Sequence, residues 1–495
     1  MEQNVHQAQM LQKLILAMSS STSAALAMVI TIATVIYGGL HLILHLTQDA
    51  REPPPVPALV PFIEPMVDLS RKKSRYYTEL CNTANDILNT NVNGDEGFWG
   101  YSVTHYKAIH PPLFPGPGLD AMNRVMARKI TSSLESIQSS EVIRLFDFIK
   151  REITLATTDS VYGDQNPFRD PTIVEAFWEF QEGVMGLLMG FPQSFVRESF
   201  KAREFMTKRF VKYFNDGGHE KGSALIKARY EHSIEHKIPL EDIARFETAG
   251  AIAILTNTSP ACFWLVYHLY SSPGALEDCR KELGQILSAT SHEKREGAFD
   301  KTITLDLTQV KTSCPILLSS LQEVLRLHSV GISTRLVMED HVLDGKYLLK
   351  KGGTVMIPAP VQHQDAAIWG ENVHSFDHRR FLPNEKRSNP VAFRGFGGGT
   401  TLCPGRHFAS TEIFAFAALL ILRFDMQPSG GTWKELTTNK ASLWEVTPRP
   451  DEDVLVNLVS RPGFDATLKW EILVTDSDKM MPLSAEDVDA LRQPN

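Results

Sequence analysis

Paired cysteines are missing from this 495-residue chain. Its five cysteines, Cys81, Cys262, Cys279, Cys314 and Cys403, are odd in number, widely spaced and include no C-x-x-C. That excludes a disulfide framework and a zinc site of the usual spacing, and it fits a reducing compartment. Basic runs are scarce as well: the densest is Arg-Lys-Lys-Ser-Arg at 71–75, within a formal net charge of −8. Nucleic acid is therefore excluded as a partner. No internal repeat marks a solenoid or an array. One absence is local: between Lys13 and Asp49 there is no Asp, Glu, Lys or Arg.

Residues 24–46 of that stretch reach the ~20 residues that span a bilayer core. They exceed the ~7–15-residue apolar centre of a signal peptide. A buried helix of a soluble body is the alternative. The reading is an N-terminal segment, 1–23, followed by one transmembrane anchor, 24–46. Lys13 precedes the span, whereas Arg51, Arg71, Lys72, Lys73 and Arg75 follow it. The positive-inside bias then leaves the bulk of the chain in the cytosol. Prolines at 53–55, 57 and 61 give residues 47–65 the character of an extended, semi-rigid hinge. The body runs from 66 to 474, and a polar, acidic tail, 475–495, is expected to be loosely held.

Within the body, residues 66–130 carry no clear periodicity, and 119–217 read mostly as helix, including 172–189 and 194–214. A helix over 239–270 is apolar nearly all round and so belongs in the core. Thr256-Asn-Thr-Ser-Pro260 interrupts it, because Pro260 removes a backbone donor. The polar side chains there serve either the kink or a buried polar site. A further helix at 273–289 precedes a polar loop at 290–302. The helix at 314–327 carries Glu323 and Arg326, which at i,i+3 share a face among leucines. Residues 333–338 and 351–358 read as short strands, and short strands and turns fill 430–474.

The chain is organised around Phe396-Gly-Gly-Gly-Thr-Thr-Leu-Cys403-Pro-Gly-Arg-His-Phe-Ala409. Three successive glycines let the backbone lie close against something flat. Pro404 ahead of an apolar helical pattern puts Cys403 at or beside a helix N-terminus. Free N–H groups there favour thiolate over thiol, and a thiolate under a planar cofactor suits heme. A buried cysteine in a glycine-rich turn is the plainer reading of this stretch taken alone.

The ordered set of interrupted helix, Glu323-x-x-Arg326, Phe376-Asp-His-Arg-Arg-Phe381 and Phe396-x-x-Gly-x-x-x-Cys403-x-Gly405 resembles the cytochrome P450 heme-thiolate family. The resemblance implies a mainly α fold with small β-sheets, preceded here by one transmembrane helix as in the microsomal members. It implies heme b with Cys403 as axial thiolate and metal ligand, Phe396 shielding the sulfur, and Gly397, Gly399 and Gly405 beside the cofactor. Glu323, Arg326 and Arg380 match a structural triad, and Arg335 matches the arginine that pairs with a heme propionate. Asn257 and Thr258 stand where the family keeps a proton-delivering alcohol.

Two positions depart from the pattern: Thr401 replaces an arginine, and Asn257 replaces the alcohol itself. The run Asn257-Thr-Ser-Pro-Ala-Cys-Phe-Trp264 is similar to the branch of sterol 7α- and 12α-hydroxylases and prostacyclin synthase. Between Glu64 and Gly118 there is scarcely room for the small sheet and heme-contacting helix usual in the family. The implied function is a monooxygenase of the endoplasmic reticulum membrane. It would oxidise a lipophilic terpenoid, sterol-like or polyketide intermediate of secondary metabolism, using O2 and electrons from NADPH through a cytochrome P450 reductase. A heme-thiolate isomerase or dehydratase would need neither O2 nor reductase. A non-catalytic heme- or lipid-binding membrane protein would consume no NADPH.

Overall fold

The computed structural model describes residues 97–137, 141–188, 194–293, 299–382, 390–399, 402–440, 445–463, 468–475 and 480–492, with four isolated positions, Met28, Thr31, Val35 and Ile36. The expected anchor (those four positions aside), the hinge and the body up to residue 96 lie outside the described residues. Chain contacts separate a larger unit, Cys81–Ser333 with Ile357–Asn495, from a smaller one that includes Thr334–Met356.

Helices dominate the larger unit: α1 (Gly97–Leu113), α2 (Pro117–Glu135), α3 (Leu145–Tyr162), α4 (Pro171–Leu188), α5 (Arg197–Asn215), α6 (Ala224–Glu235), α7 (Leu240–Leu255), α8 (Thr258–Ser271), α9 (Pro273–Ile286), α10 (Pro315–His328), α11 (Arg406–Arg423) and α12 (Ala485–Arg492). Strands are few. They are β1 (Glu141–Arg144), β2 (Leu287–Glu293) and β3 (Phe299–Asp306), then β4 (Ile332–Leu336), β5 (His341–Leu343), β6 (Tyr347–Leu349) and β7 (Thr354–Pro358), and last β8 (Phe424–Pro428), β9 (Leu455–Ser460) and β10 (Lys469–Leu473). Two three-stranded sheets have the orders β1-β9-β8 and β10-β3-β2. In the smaller unit β4 ladders with β7, and β5 runs antiparallel to β6.

The long apolar helix expected over 239–270 is two helices, broken at Thr256 and Asn257. The cause is local. Pro260 has no N–H to give the carbonyl four residues back, which is that of Thr256. Ladder bonds resume with Ala261 N–H to the Asn257 carbonyl, 3.1 Å. Leu240–Ser271 is the only segment among the described residues long and apolar enough to cross a membrane. Phe263, Trp264, Leu265 and Val266 are almost wholly buried, so this is the central core element of the larger unit.

Two expectations are corrected. The polar loop at 290–302 is instead largely sheet: β2 pairs antiparallel with β3, from Leu287 opposite Leu305 to Glu293 opposite Phe299. Ile303 and Leu305 alternate inward, and β10, with buried Trp470 and Ile472, lies parallel on the other side of β3. That partner comes from more than 160 residues away, so the polar composition of 290–302 gave no hint of it. The tail is not loose over its described part, 480–492. Met481 and Leu483 are buried, and α12 is anchored by Asp487, which is 1 % exposed.

α11 follows the cysteine and is buried almost throughout. It carries Glu412, whose two carboxylate oxygens both lie 2.8 Å from Thr157 Oγ1 on α3 and share its single O–H proton. Burial pushes this carboxyl up to about 8 from an ordinary 4.5, with the Thr157 bond opposing. Folded, the group keeps its proton through a range where the unfolded chain has lost it. Stability therefore falls as pH rises from about 4.5 to about 8 and levels off above that. Glu412→Gln is expected to remove this slope and to be more stable than the parent at pH 8, as read from urea midpoints at pH 5, 6.5 and 8.

Candidate active site

The loop before α11 is held by its own backbone. Cys403 N–H donates to the Phe396 carbonyl at 2.9 Å, Gly397 N–H to Arg394 at 3.0 Å, and Leu402 N–H to Gly399 at 3.2 Å. Gly397 and Gly399 have φ of 78° and 60°, a left-handed backbone that explains glycine at both positions. A Cβ on Gly405 would meet nothing within 4 Å, so open space, not protein packing, lies beside it. Phe396 is partly buried against the core. Thr401 lies outside the described residues.

The helix starts at Arg406, two residues later than a proline at its first position would imply, with Pro404 and Gly405 in the turn. The backbone N–H groups of Gly405 and Arg406 and the Arg406 charge all pull the Cys403 thiol toward thiolate. Burial outweighs them, so the thiol pKa is raised, not lowered as expected from the helix terminus alone. Only a cation at the sulfur would reverse that balance. Among the described residues no group of three or more His, Cys, Asp or Glu side chains could hold a bare metal ion. One half-buried sulfur just before a helix start, with an open glycine flank, suits a metal whose remaining ligands arrive with a macrocycle.

The structure brings Glu323, Arg326 and Arg380 together. Arg326 Nε and Nη2 donate to the two Glu323 oxygens at 2.7 and 2.8 Å, and Arg380 Nε lies 3.0 Å from both. Glu323 and Arg326 are fully buried. A planar guanidinium beneath a carboxylate has further donors to satisfy. Arg326 Nη1 gives one to the His363 carbonyl at 2.7 Å, and Arg380 Nη1 gives one to the Trp369 carbonyl at 2.7 Å. Arg335 lies on β4, where its Nη1 donates to the Thr334 carbonyl at 2.8 Å.

Asn257 also has a structural job. Its Oδ1 accepts the N–H groups of Val446 and Thr447, each at 3.1 Å, so it pins the loop before β9 onto the break between α7 and α8. Trp264 Nε1 holds the same loop at the Pro448 carbonyl, 2.8 Å. Thr258 is buried. Ala253, one turn before Asn257, is exposed although its helix belongs to the core. Asn257→Ala should free two amides at a cost of about 1–2 kcal/mol. A lower melting temperature is expected, with Asn257→Asp, which keeps the acceptor, near the parent.

Sequence reasoning missed His363. Burial holds its imidazole down at about 4, so it is neutral at pH 7. Its Nε2 accepts the Arg394 N–H at 2.8 Å, and its ring stacks on Phe393, with centroids 5.7 Å apart. One residue thus joins the Glu323–Arg326 pair, through its carbonyl, to the loop of Cys403, through its ring. The only sequence signal was a histidine in a mostly apolar turn after β7.

The cytochrome P450 family profile matches residues 187–451. The cytochrome P450 monooxygenase nodJ of Hypoxylon pulicicidum is 40% identical over 388 residues, covering 76% of this chain and 74% of that protein. The 25-hydroxycholesterol 7-alpha-hydroxylase of Rattus norvegicus is 26% identical, covering 69% and 86%. Among solved structures, retinoic acid-bound cyanobacterial CYP120A1 superposes with a TM-score of 0.59 at 20% identity, over 73% of this chain and 79% of that one, which shows the fold. A half-buried cysteine on a left-handed glycine loop, a Glu-Arg-Arg cluster and these relatives lead to one conclusion: the chain belongs to the cytochrome P450 family, on the branch of the sterol 7α-hydroxylases, and is an oxidoreductase of the monooxygenase type.

Proposed function

We propose that this chain oxidises a lipophilic small molecule, a terpenoid, sterol-like or polyketide intermediate, with Cys403 as axial thiolate to heme b. The observation that carries the reading is the half-buried Cys403, set in a left-handed glycine loop just before a helix start and beside an unfilled glycine flank. Heme, when bound, supplies oxygen activation with electrons that a reductase draws from NADPH. The chain's own residues do the rest. Gly397, Gly399 and Gly405 admit a flat group close to the backbone, and Phe396 covers the sulfur side. Arg406 and the amides of Gly405 and Arg406 stabilise negative charge on sulfur.

Asn257 Oδ1 is committed to the loop at 446–447, which leaves its amide Nδ2 to order a water on the substrate side. The same loop, held at Val446 and Pro448, forms part of the wall that orients substrate. The relatives named for fungal P450 monooxygenases and for 7α-hydroxylation of sterols support a bulky, apolar substrate class. Membrane attachment through residues 24–46, with the body in the cytosol, fits such substrates. The test is turnover by the full-length chain on extracts from cells lacking it, with and without NADPH and a P450 reductase. Oxygenated product that requires both is expected. Product formed without either would establish the isomerase or dehydratase instead, and heme binding with no product and no NADPH consumption would establish a non-catalytic binder.

A further inference from the structure

The C-terminal segment is fastened to the Cys403 loop at two points. Glu486 Oε1 accepts the N–H of Gly399 at 2.5 Å. Asp487 takes the Arg406 guanidinium in a two-pronged pair, Nη2 to Oδ1 at 2.6 Å and Nε to Oδ2 at 3.0 Å. Both side chains are buried, 6% and 1% exposed, which makes this pair unlike a surface ion pair. Arg406 does not stop there: its Nη1 donates to the Cys403 carbonyl at 3.1 Å. The guanidinium therefore bridges the tail carboxylate and the backbone of Cys403.

The fastening is itself built. Ser484 Oγ donates to Asp487 Oδ2 at 3.0 Å and accepts the Asp487 N–H at 3.2 Å, which caps the start of α12 and fixes the carboxylate. Met481 and Leu483 are sunk in the core, and the Pro482 carbonyl accepts from Gln322 Nε2 at 2.9 Å. Gln322 precedes Glu323, so the tail is tied to the helix of the Glu-Arg-Arg cluster as well as to the cysteine loop. A segment needed only to end the chain has no reason to bury a carboxylate at this place.

We infer that residues 480–492 are a clamp on the Cys403 loop, with Asp487 and Glu486 as positioning residues that act through Arg406 and Gly399. Neither touches the cofactor. Glu486 holds the left-handed turn at Gly399, and Asp487 holds Arg406 with its charge beside the sulfur and its donor on the Cys403 carbonyl. Without the clamp the loop opens, the sulfur becomes more accessible to solvent and reagents, and it is no longer held where it can ligate the cofactor. The inference rests on Cys403 being the heme ligand.

The experiment uses the full-length chain and its Asp487→Asn, Asp487→Glu, Glu486→Gln and Cys403→Ser variants, with a chain ending at residue 479. Two quantities are read. The first is the rate at which iodoacetamide labels Cys403 in heme-free protein, mapped by mass spectrometry. The second is the share of thiolate-type band in the reduced CO difference spectrum after loading with hemin. Labelling roughly tenfold faster, equivalent to ~1.4 kcal/mol of loop opening, is expected for Asp487→Asn and for the shortened chain. A smaller rise is expected for Glu486→Gln, with thiolate band lost in the same order and restored by Asp487→Glu.

Parent-like labelling and band in Asp487→Asn and Glu486→Gln would overturn the clamp. So would a failure of Asp487→Glu to restore what Asp487→Asn loses. If the shortened chain does not fold, the point variants decide by the same two readings. A thiolate band that survives in Cys403→Ser would overturn the ligand assignment on which the clamp rests, whereas its loss there beside parent-like Asp487 variants would overturn the clamp alone.

Discussion

Cys403→Ser is expected to abolish the thiolate-type CO difference spectrum and to bring NADPH-dependent turnover down to the level of a chain-free control. Serine keeps the size and the backbone, but its hydroxyl does not ionise near neutral pH and pushes no comparable electron density onto iron. The fold should survive. The loop's bonds from Cys403 N–H to Phe396 and from Leu402 N–H to Gly399 are backbone to backbone, and Arg406 binds the Cys403 carbonyl, not its sulfur. A melting temperature near that of the parent, measured together with the spectrum, separates loss of the ligand from loss of the loop. An unchanged spectrum and unchanged turnover would remove Cys403 from the chemistry.

Glu323→Ala should do the opposite, leaving the ligand in place and removing its support. Arg326, Arg380 and the Asp377 N–H all converge on the Glu323 carboxylate, which is wholly buried. Its loss strands two guanidiniums against one another in the interior. Breaking such a buried pair costs roughly 3–5 kcal/mol, against a total stability of about 5–15 kcal/mol for a typical domain. The variant is expected to unfold at much lower denaturant and to retain little heme per chain. The damage should reach the cysteine loop because Arg326 also holds the His363 carbonyl, and His363 holds Arg394. Arg379, next to Arg380 but half exposed in its pair with Asp278, is the control: Arg379→Ala should cost no more than ~1 kcal/mol. Equal effects of the two would show that the cluster carries no special weight.

The same contrast explains what could be read in advance. Phe396 to Ala409 and Glu323-x-x-Arg326 are local, each within one loop or one helical turn, so residue type and spacing expressed them directly. The break at Thr256 was also local, since a proline withdraws a donor from a carbonyl four residues back and no distant contact is needed. These elements, with the helices around them, were enough to place the chain in its family and to single out Cys403 as the proposed ligand.

What only the tertiary structure decided are pairings between distant parts of the chain. Nothing near Asn257 in sequence shows that its oxygen takes the N–H groups of Val446 and Thr447, 189 and 190 residues on. Residues 290–302 read as a polar loop until β10 supplies the other side of the sheet. Asp487 reads as one acid in a polar tail until Arg406, 81 residues earlier, meets it in the core. A hydrogen bond or ion pair of this kind leaves no periodicity in either strand of sequence, because its partner is chosen by the packed interior. The Cys403 thiol is the sharpest case. Its neighbours in sequence favour the charged sulfur, its burial favours the neutral one, and burial is a property of the whole fold.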